Sequence, residues 1–422
     1  MELLTILHLT LLASVSFIVW KKQTVLKKFF LPALAVKLLA GVCLGLVYTY
    51  YYSVADTFVY FNDATKLASL AMEDFSAYVR FLISNTNPGV LELSFPEPRA
   101  VFLIKITSVF NLLTHGNYWV IGFYYSFISF LAAWFLVRIL HRHIPATKGA
   151  ALIAFLFLPS VVFWSSGLLK ESLALGSLYF LTAVFLKIWF GEKPSLVQYV
   201  VAAISLWTFW NLKYQYAAVF LPVVFTTLLY RYLVGKRFLS SPGLGLVVWL
   251  AMLIVPAVLI TFSHPNFHYD RILNVILENN AAYNAMSAPE DVVHFSELDP
   301  NPISFLKNSP RALFSGLFRP LFWETSAIIQ VLPAVENTVV LFLFLAACFR
   351  YKSYVSSPHR TLLLAVTVYV ILLCILITFS APNFGTLSRY KTAYISFFVL
   401  MILCNNPLLN SMERSFRRLV SQ

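Results

Sequence analysis

The stretch Ala55-Asp56-Thr57-Phe58-Val59-Tyr60-Phe61-Asn62-Asp63 decides how this chain reads. It follows the apolar run Phe29–Tyr52, which is long enough to cross a bilayer, so it sets two carboxylates where a membrane helix surfaces. An acid held at that depth is costly and marks a functional site by default. If the stretch is helical, Asp56, Tyr60 and Asp63 share one face, being spaced by four and three. Either acid could take a proton from a hydroxyl as a general base. The plainer alternatives are that Asp56 is simply solvated and that Asp63 caps the helix that follows.

Composition sets the class. With 59% hydrophobic and 12% charged residues and a mean hydropathy of +0.77, the chain has too little polar surface for a soluble domain. It reads as an all-α, multi-pass membrane protein. The recurring apolar runs are too long and continuous for the short alternating strands of a barrel. A net charge of +13 fits basic anchors on the cytoplasmic face rather than a nucleic-acid partner. Cys43, Cys348, Cys374 and Cys404 lie in apolar runs without metal spacing. The first twenty residues lack a basic start and a small-residue cleavage site, so they read as a helix and not a leader.

About eleven spans are expected, at 3–20, 29–52, 118–141, 148–166, 170–190, 196–212, 214–233, 243–262, 333–350, 361–380 and 387–404. Every second connection then carries the bases: Lys21, Lys22, Lys27 and Lys28; Arg138, Arg142 and Lys148; Lys187 and Lys193; Arg231, Lys236 and Arg237; Arg350, Lys352 and Arg360; Arg414, Arg417 and Arg418. The positive-inside rule makes that face cytoplasmic, with the N-terminus outside and the C-terminus inside. Two long connections fall on the outer face. Residues 53–117 read as two interfacial amphipathic helices, Asp63–Leu82 and Arg99–Leu113, joined through Asn87-Pro88. Residues 263–332 are more polar and long enough for a lid.

Other polar clusters gather at the same outer face. Ser165-Ser166-Gly167-Leu168-Leu169-Lys170-Glu171-Ser172 is so short a connection that Lys170 and Glu171 lie at membrane depth and need partners. They either neutralise neighbours, or Lys170 binds phosphate with Glu171 orienting it. Lys213, in Asn211–Tyr216, snorkels to the headgroups or meets a lipid phosphate. Arg319, in Phe318–Glu324, needs a counter-charge that Glu324 or a phosphate supplies. Arg389 and Lys391, in Leu387–Lys391, are outer-face cations against the usual bias and are candidate anion ligands. Of the histidines, only His8 falls inside a span, with His141 at the last residue of another, and no pair has metal-ligand spacing; there is no phosphate-cradling glycine loop or nucleophile elbow. No metal-binding residue is assigned, and a metal requirement stays open.

Asp56 in ADTFVYFNDATKLA, FWSSGLLKES (163–172), LFRPLFWE (317–324) and LSRYK (387–391) together resemble the GT-C superfamily of integral-membrane glycosyltransferases, in particular bacterial members. The layout departs from better-known members in lacking adjacent paired acids or a DxD motif, and in carrying an extra helix before the span that leads into Asp56. The resemblance implies a sugar carried on polyprenyl phosphate, an extracytoplasmic glycan, lipid or protein acceptor, and a bacterial inner membrane. It makes Asp56 the base, with Asp63 a second candidate. Tyr60, Lys170, Glu171, Lys213, Arg319, Glu324, Arg389 and Lys391 would line the donor site. Alternative readings are a polymerase or ligase of surface polysaccharide, or a transporter of lipid-linked saccharide; gathering of polar groups at one face weighs against passage.

Overall fold

A chain this apolar satisfies its backbone groups within helices, since lipid offers no partner for a bare N–H or C=O. The computed structural model describes residues 2–52, 56–84, 92–235, 245–325, 327–349 and 359–408. Ala55, the Asn87-Pro88 link and Lys236, Arg237, Arg350, Lys352, Arg414, Arg417 and Arg418 lie outside them. The helices in chain order are α1 (Glu2–Lys21), α2 (Lys27–Tyr50), α3 (Asp56–Glu73), α4 (Phe75–Ser84), α5 (Pro98–Thr114), α6 (Tyr118–His143), α7 (Lys148–Leu152), α8 (Pro159–Trp164) and α9 (Lys170–Trp189). There follow α10 (Leu196–Gly235), α11 (Gly245–Ile260), α12 (Ile272–Ala285), α13 (Pro302–Phe318), α14 (Ile328–Cys348), α15 (Arg360–Ser380), α16 (Phe384–Tyr390) and α17 (Thr392–Leu403).

Among the described residues, seven helices are long and apolar enough to cross a membrane, not about eleven. Each difference has a local cause. Residues 148–166 break into α7, a wide turn of π type and α8, because Leu158 is extended before Pro159. The runs 196–212 and 214–233 are the two helical halves of α10, continuous in chain but parted, as the sequence divides them, at a non-helical Lys213. The chain turns back at this kink: Lys213 meets Glu171 at the start of α9, while Gln198 accepts from Lys187 at 2.9 Å and Arg231 sits over Trp189 near its other end. α11 keeps 16 residues, and the run 387–404 divides at Lys391 between α16 and α17.

α9 runs through the centre and separates the charges into two groups about 30 Å apart, by its 20 residues. At its C-terminal end Glu192 meets Arg142 at 3.1 Å, His143 at 3.0 Å and Lys187 at 3.8 Å. At its start stand Lys170 and Glu171. Connections that the charge pattern assigns to opposite faces are therefore at opposite ends of one helix. The start of α1 belongs with the second end, where Asn117 donates to Thr5 at 3.0 Å and His8 contacts Tyr124 at 2.8 Å.

Apolar burial gives helices little drive to associate in lipid, so close packing and polar links must hold them. Gly41 of α2 faces the turn before α9 and α6: a Cβ there would stand 2.8 Å from Ser126 Oγ and 3.4 Å from the Gly167 nitrogen. Gly167 N–H donates to Ser126 Oγ at 2.8 Å. Lys37 of α2 adds a polar link to the same turn. It lies mid-helix and buried, donating to Ser165 O at 2.6 Å and to Ser165 Oγ.

The two long connections are also folded more tightly than expected. α3, α4 and α5 pack together, with Asn111 donating to Thr65 at 2.8 Å and Tyr78 meeting Ser108 at 3.1 Å. α5 in turn docks on α6 through Thr107 and Tyr125, 2.8 Å apart. In the second connection, α12 lies over the end of α15, Asn280 donating to Phe379 O at 2.7 Å. α13 wedges into the bundle, where Tyr394 donates to Gly316 O at 2.8 Å. A Cβ on Gly316 would collide with Thr378 Oγ1 and Cys374 Sγ. Gly316→Leu should therefore cost about 1–3 kcal/mol or more, read as a lowered melting temperature of the protein in detergent.

Candidate functional site

The site is built from parts 333 residues apart in sequence, and one buried carboxylate holds it together. Glu171, in the first turn of α9, is fully buried; its Oε2 accepts from Arg389 at 2.8 Å and its Oε1 meets Lys213 Nζ at 2.7 Å. Arg389 comes from α16 and Lys213 from the kink of α10. The other face of the Arg389 guanidinium donates to Asp56 Oδ2 at 3.1 Å and to Tyr48 at 3.3 Å. Asp56 is the open member: its side chain is 37% exposed, against 13% for Arg389, 4% for Lys213 and 0% for Glu171. Arg389 Nε is buried without a hydrogen-bond partner among the described residues.

Aromatic rings fix the cations further. Lys213 Nζ lies 3.8 Å from the Tyr390 ring centre, Arg389 sits over Trp164 at 5.8 Å, and Lys170 Nζ lies over Tyr60 at 4.8 Å. Cations over aromatic faces gain most where water is excluded. Burial, then the Asp56 charge, pushes the Tyr60 phenol above its ordinary value, so this ring stays neutral beneath Lys170.

Charge counting shows what the arrangement lacks. Asp56 and Glu171 are matched by Arg389 and Lys213, and Lys170 is left in excess. Arg99 of α5 lies close enough for its charge to act on both Lys170 and Lys213. It forms no ion pair among the described residues: its guanidinium sits over Tyr214 at 5.2 Å and donates to Gln215 at 3.4 Å. Two uncompensated cations beside an open carboxylate suit an anionic ligand that brings a reacting group to Asp56. No protein family, curated protein or solved structure matches this chain.

Of the sequence candidates, the structure brings Asp56, Tyr60, Lys170, Glu171, Lys213 and Arg389 together, and four others stand apart. Asp63 is buried and occupied: Ser94 N–H and Oγ donate to it at 2.8 and 3.1 Å, and Lys66 Nζ lies 3.2 Å away. It pins the chain before α5 to α3. Arg319 and Glu324 pair with each other at 2.8 Å. Lys391 is buried between α13 and α14, donating to Asn337 at 2.6 Å and to Leu317 O and Arg319 O at 3.4 Å. Missed from sequence were Arg99, which reads there as the polar start of an amphipathic helix, and Glu336. The latter is a buried acid of α14 that accepts from Ser160 N–H at 2.8 Å and from Ser160 Oγ, holding the start of α8. Among the described residues, no group of three or more His, Cys, Asp or Glu is arranged to hold a metal ion.

Glu171→Gln should leave Arg389 and Lys213 buried against a neutral amide, a change that costs about 3–5 kcal/mol when a buried pair loses one partner. Asp56→Asn, at a partly solvated pair, should cost no more than about 1 kcal/mol. Thermal melts of the two variants in the same detergent check the difference.

Proposed function

We propose that this protein is a membrane glycosyltransferase of GT-C type, moving a sugar from a polyprenyl-phosphate donor to an acceptor hydroxyl on the extracytoplasmic side. The observation that carries the reading is the split between the buried Glu171, which locks Arg389 and Lys213, and the open Asp56 carboxylate that Arg389 aims. A carboxylate held this way is oriented for proton transfer and is not itself hidden. The excess charge beside it supports a phosphate-bearing donor, and the basic cluster at the far end of α9 supports an outward-facing site.

In this mechanism the acceptor O–H gives its proton to Asp56 as its oxygen bonds to the anomeric carbon. The bond from that carbon to the phosphate oxygen breaks, and its electron pair leaves with the phosphate. Attack from the opposite side inverts the anomeric centre. Lys170 and Arg389 stabilise the charge that grows on the leaving phosphate, the electrostatic task that dominates such transfers. Lys213 acts through Glu171, keeping Arg389 in place, and Arg319 and Lys391 support the backbone around α13 and α16. α12 is placed to close over the bound acceptor.

Asp56→Asn should lower transfer from a polyprenyl-phosphate sugar by about a hundredfold or more, with the protein still folded, in a reconstituted assay with acceptor present. Undiminished transfer would sink the assignment. Lys170→Met should raise the donor KM as well as lower kcat, because Lys170 meets the phosphate before and during departure.

A further inference from the structure

The ion network stands between two unlike regions. On one side Tyr48, Trp164 and Leu169 form a buried apolar cluster with Tyr52 and Phe163 against it. On the other side lies a cavity of about 110 Å³ under α12, whose polar walls are Arg99, Gln215, Asn266, Asn279, Tyr283 and Tyr390. By water's share of about 30 Å³ in the liquid, that space holds roughly four waters, so it admits the edge of one sugar ring and not a chain.

We propose that this cavity is the acceptor subsite and takes an acidic saccharide; the assignment of the acceptor rests on the transfer reading above. The cavity is built rather than incidental. Tyr214 at its wall is stacked on His264, ring centres 4.0 Å apart, and is carried on the other side by Arg99. Asn266 donates to the Tyr214 hydroxyl at 2.8 Å, and Asn266 N–H in turn donates to His264. Burial and the Arg99 charge hold the His264 imidazole below its ordinary value, so it stays neutral and acceptor-competent at Nδ1. This stack clamps α5, the α10 kink and the chain before α12 into one fixed wall.

The charge of the wall chooses the ligand. Both acids of the neighbouring network are taken by Arg389 and Lys213, so Arg99 faces the cavity without a carboxylate among the described residues. Amides and phenols around it offer both donors and acceptors, which is what ring hydroxyls need. A planar guanidinium amid them recognises a carboxylate by paired hydrogen bonds. Tyr390 connects cavity and reaction centre: it lines the cavity together with Tyr283, carries Lys213 on its ring, and adjoins Arg389. A saccharide seated there would present a neighbouring hydroxyl toward Asp56.

The test uses the full chain in lipid nanodiscs, titrated calorimetrically with a galacturonate trisaccharide and, separately, a neutral galactose trisaccharide. The acidic sugar should bind about tenfold or more tightly, the scale of a charged hydrogen-bonded contact, and Arg99→Gln should erase that preference. Asn279→Trp, introduced from the exposed side of α12 to fill the space, should weaken binding of the acidic sugar whether or not Arg99→Gln folds. Equal binding of the two sugars overturns the proposal. So does absence of binding by a wild-type protein that still hydrolyses the lipid-linked donor without acceptor, and that outcome leaves the transfer reading intact. Binding of the acidic sugar by protein that turns over no donor upholds the cavity as an acidic-saccharide site and removes the transfer reading instead.

Discussion

The whole site depends on a carboxylate with no access to water. Glu171 holds two cations, Arg389 at 2.8 Å and Lys213 at 2.7 Å, and these come from helices far apart in sequence. Stripping three charges of solvent costs several kcal/mol per ion, so the cluster is a poor device for stability alone. What it secures is geometry. With its second edge on Glu171, the Arg389 guanidinium has only one edge left to offer, and Asp56 takes it at the border with solvent. A mobile surface pair would leave Asp56 in many orientations; here one partner is fixed by the core.

Depth explains why the cluster can exist. The turn before α9 is drawn into the bundle by Lys37, by the glycine approach at Gly41 and by the Ser126 contact, so Glu171 begins α9 below the ends of its neighbours. The α10 kink brings Lys213 to the same level, and the division between α16 and α17 leaves Arg389 in the last turn of α16 and Lys391 at the junction, with different tasks. Each of these is an irregularity in an otherwise regular bundle. Irregular backbone at membrane depth is tolerated where it lies within protein, and all three occurrences meet at or beside one constellation.

Hydropathy made the helices legible, because a bilayer demands long apolar runs and the sequence boundaries of α2, α6, α9 and α15 follow them closely. Asp56, Glu171, Lys213 and Arg389 were legible for the related reason that charge at such positions has to be matched. Pairing was not. Whether Arg389 meets Glu171 or Glu324, and whether Asp63 faces ligand or Ser94, is settled by contacts 218 and 31 residues apart in sequence, which local pattern does not encode. The number of crossing helices was overstated since hydropathy ignores backbone breaks: Pro159 and Lys391 sit inside the runs 148–166 and 387–404. Arg99 stayed hidden because one arginine at the head of an amphipathic helix looks like any solvated end.

The break between α7 and α8 also bears on how this protein is made. A chain enters the bilayer in order, and a segment inserts alone only if its helix satisfies its own backbone. Residues 148–164 do not form such a helix, since Leu158 is extended and the short α8 takes its first contacts from Ser160 to Glu336, a residue synthesised 176 positions later. Until α14 arrives, that stretch has only α2 and α6 to shelter it. The packing of this early segment is therefore complete only together with an acid 176 positions further along, so the two halves of the chain depend on one another for their final form.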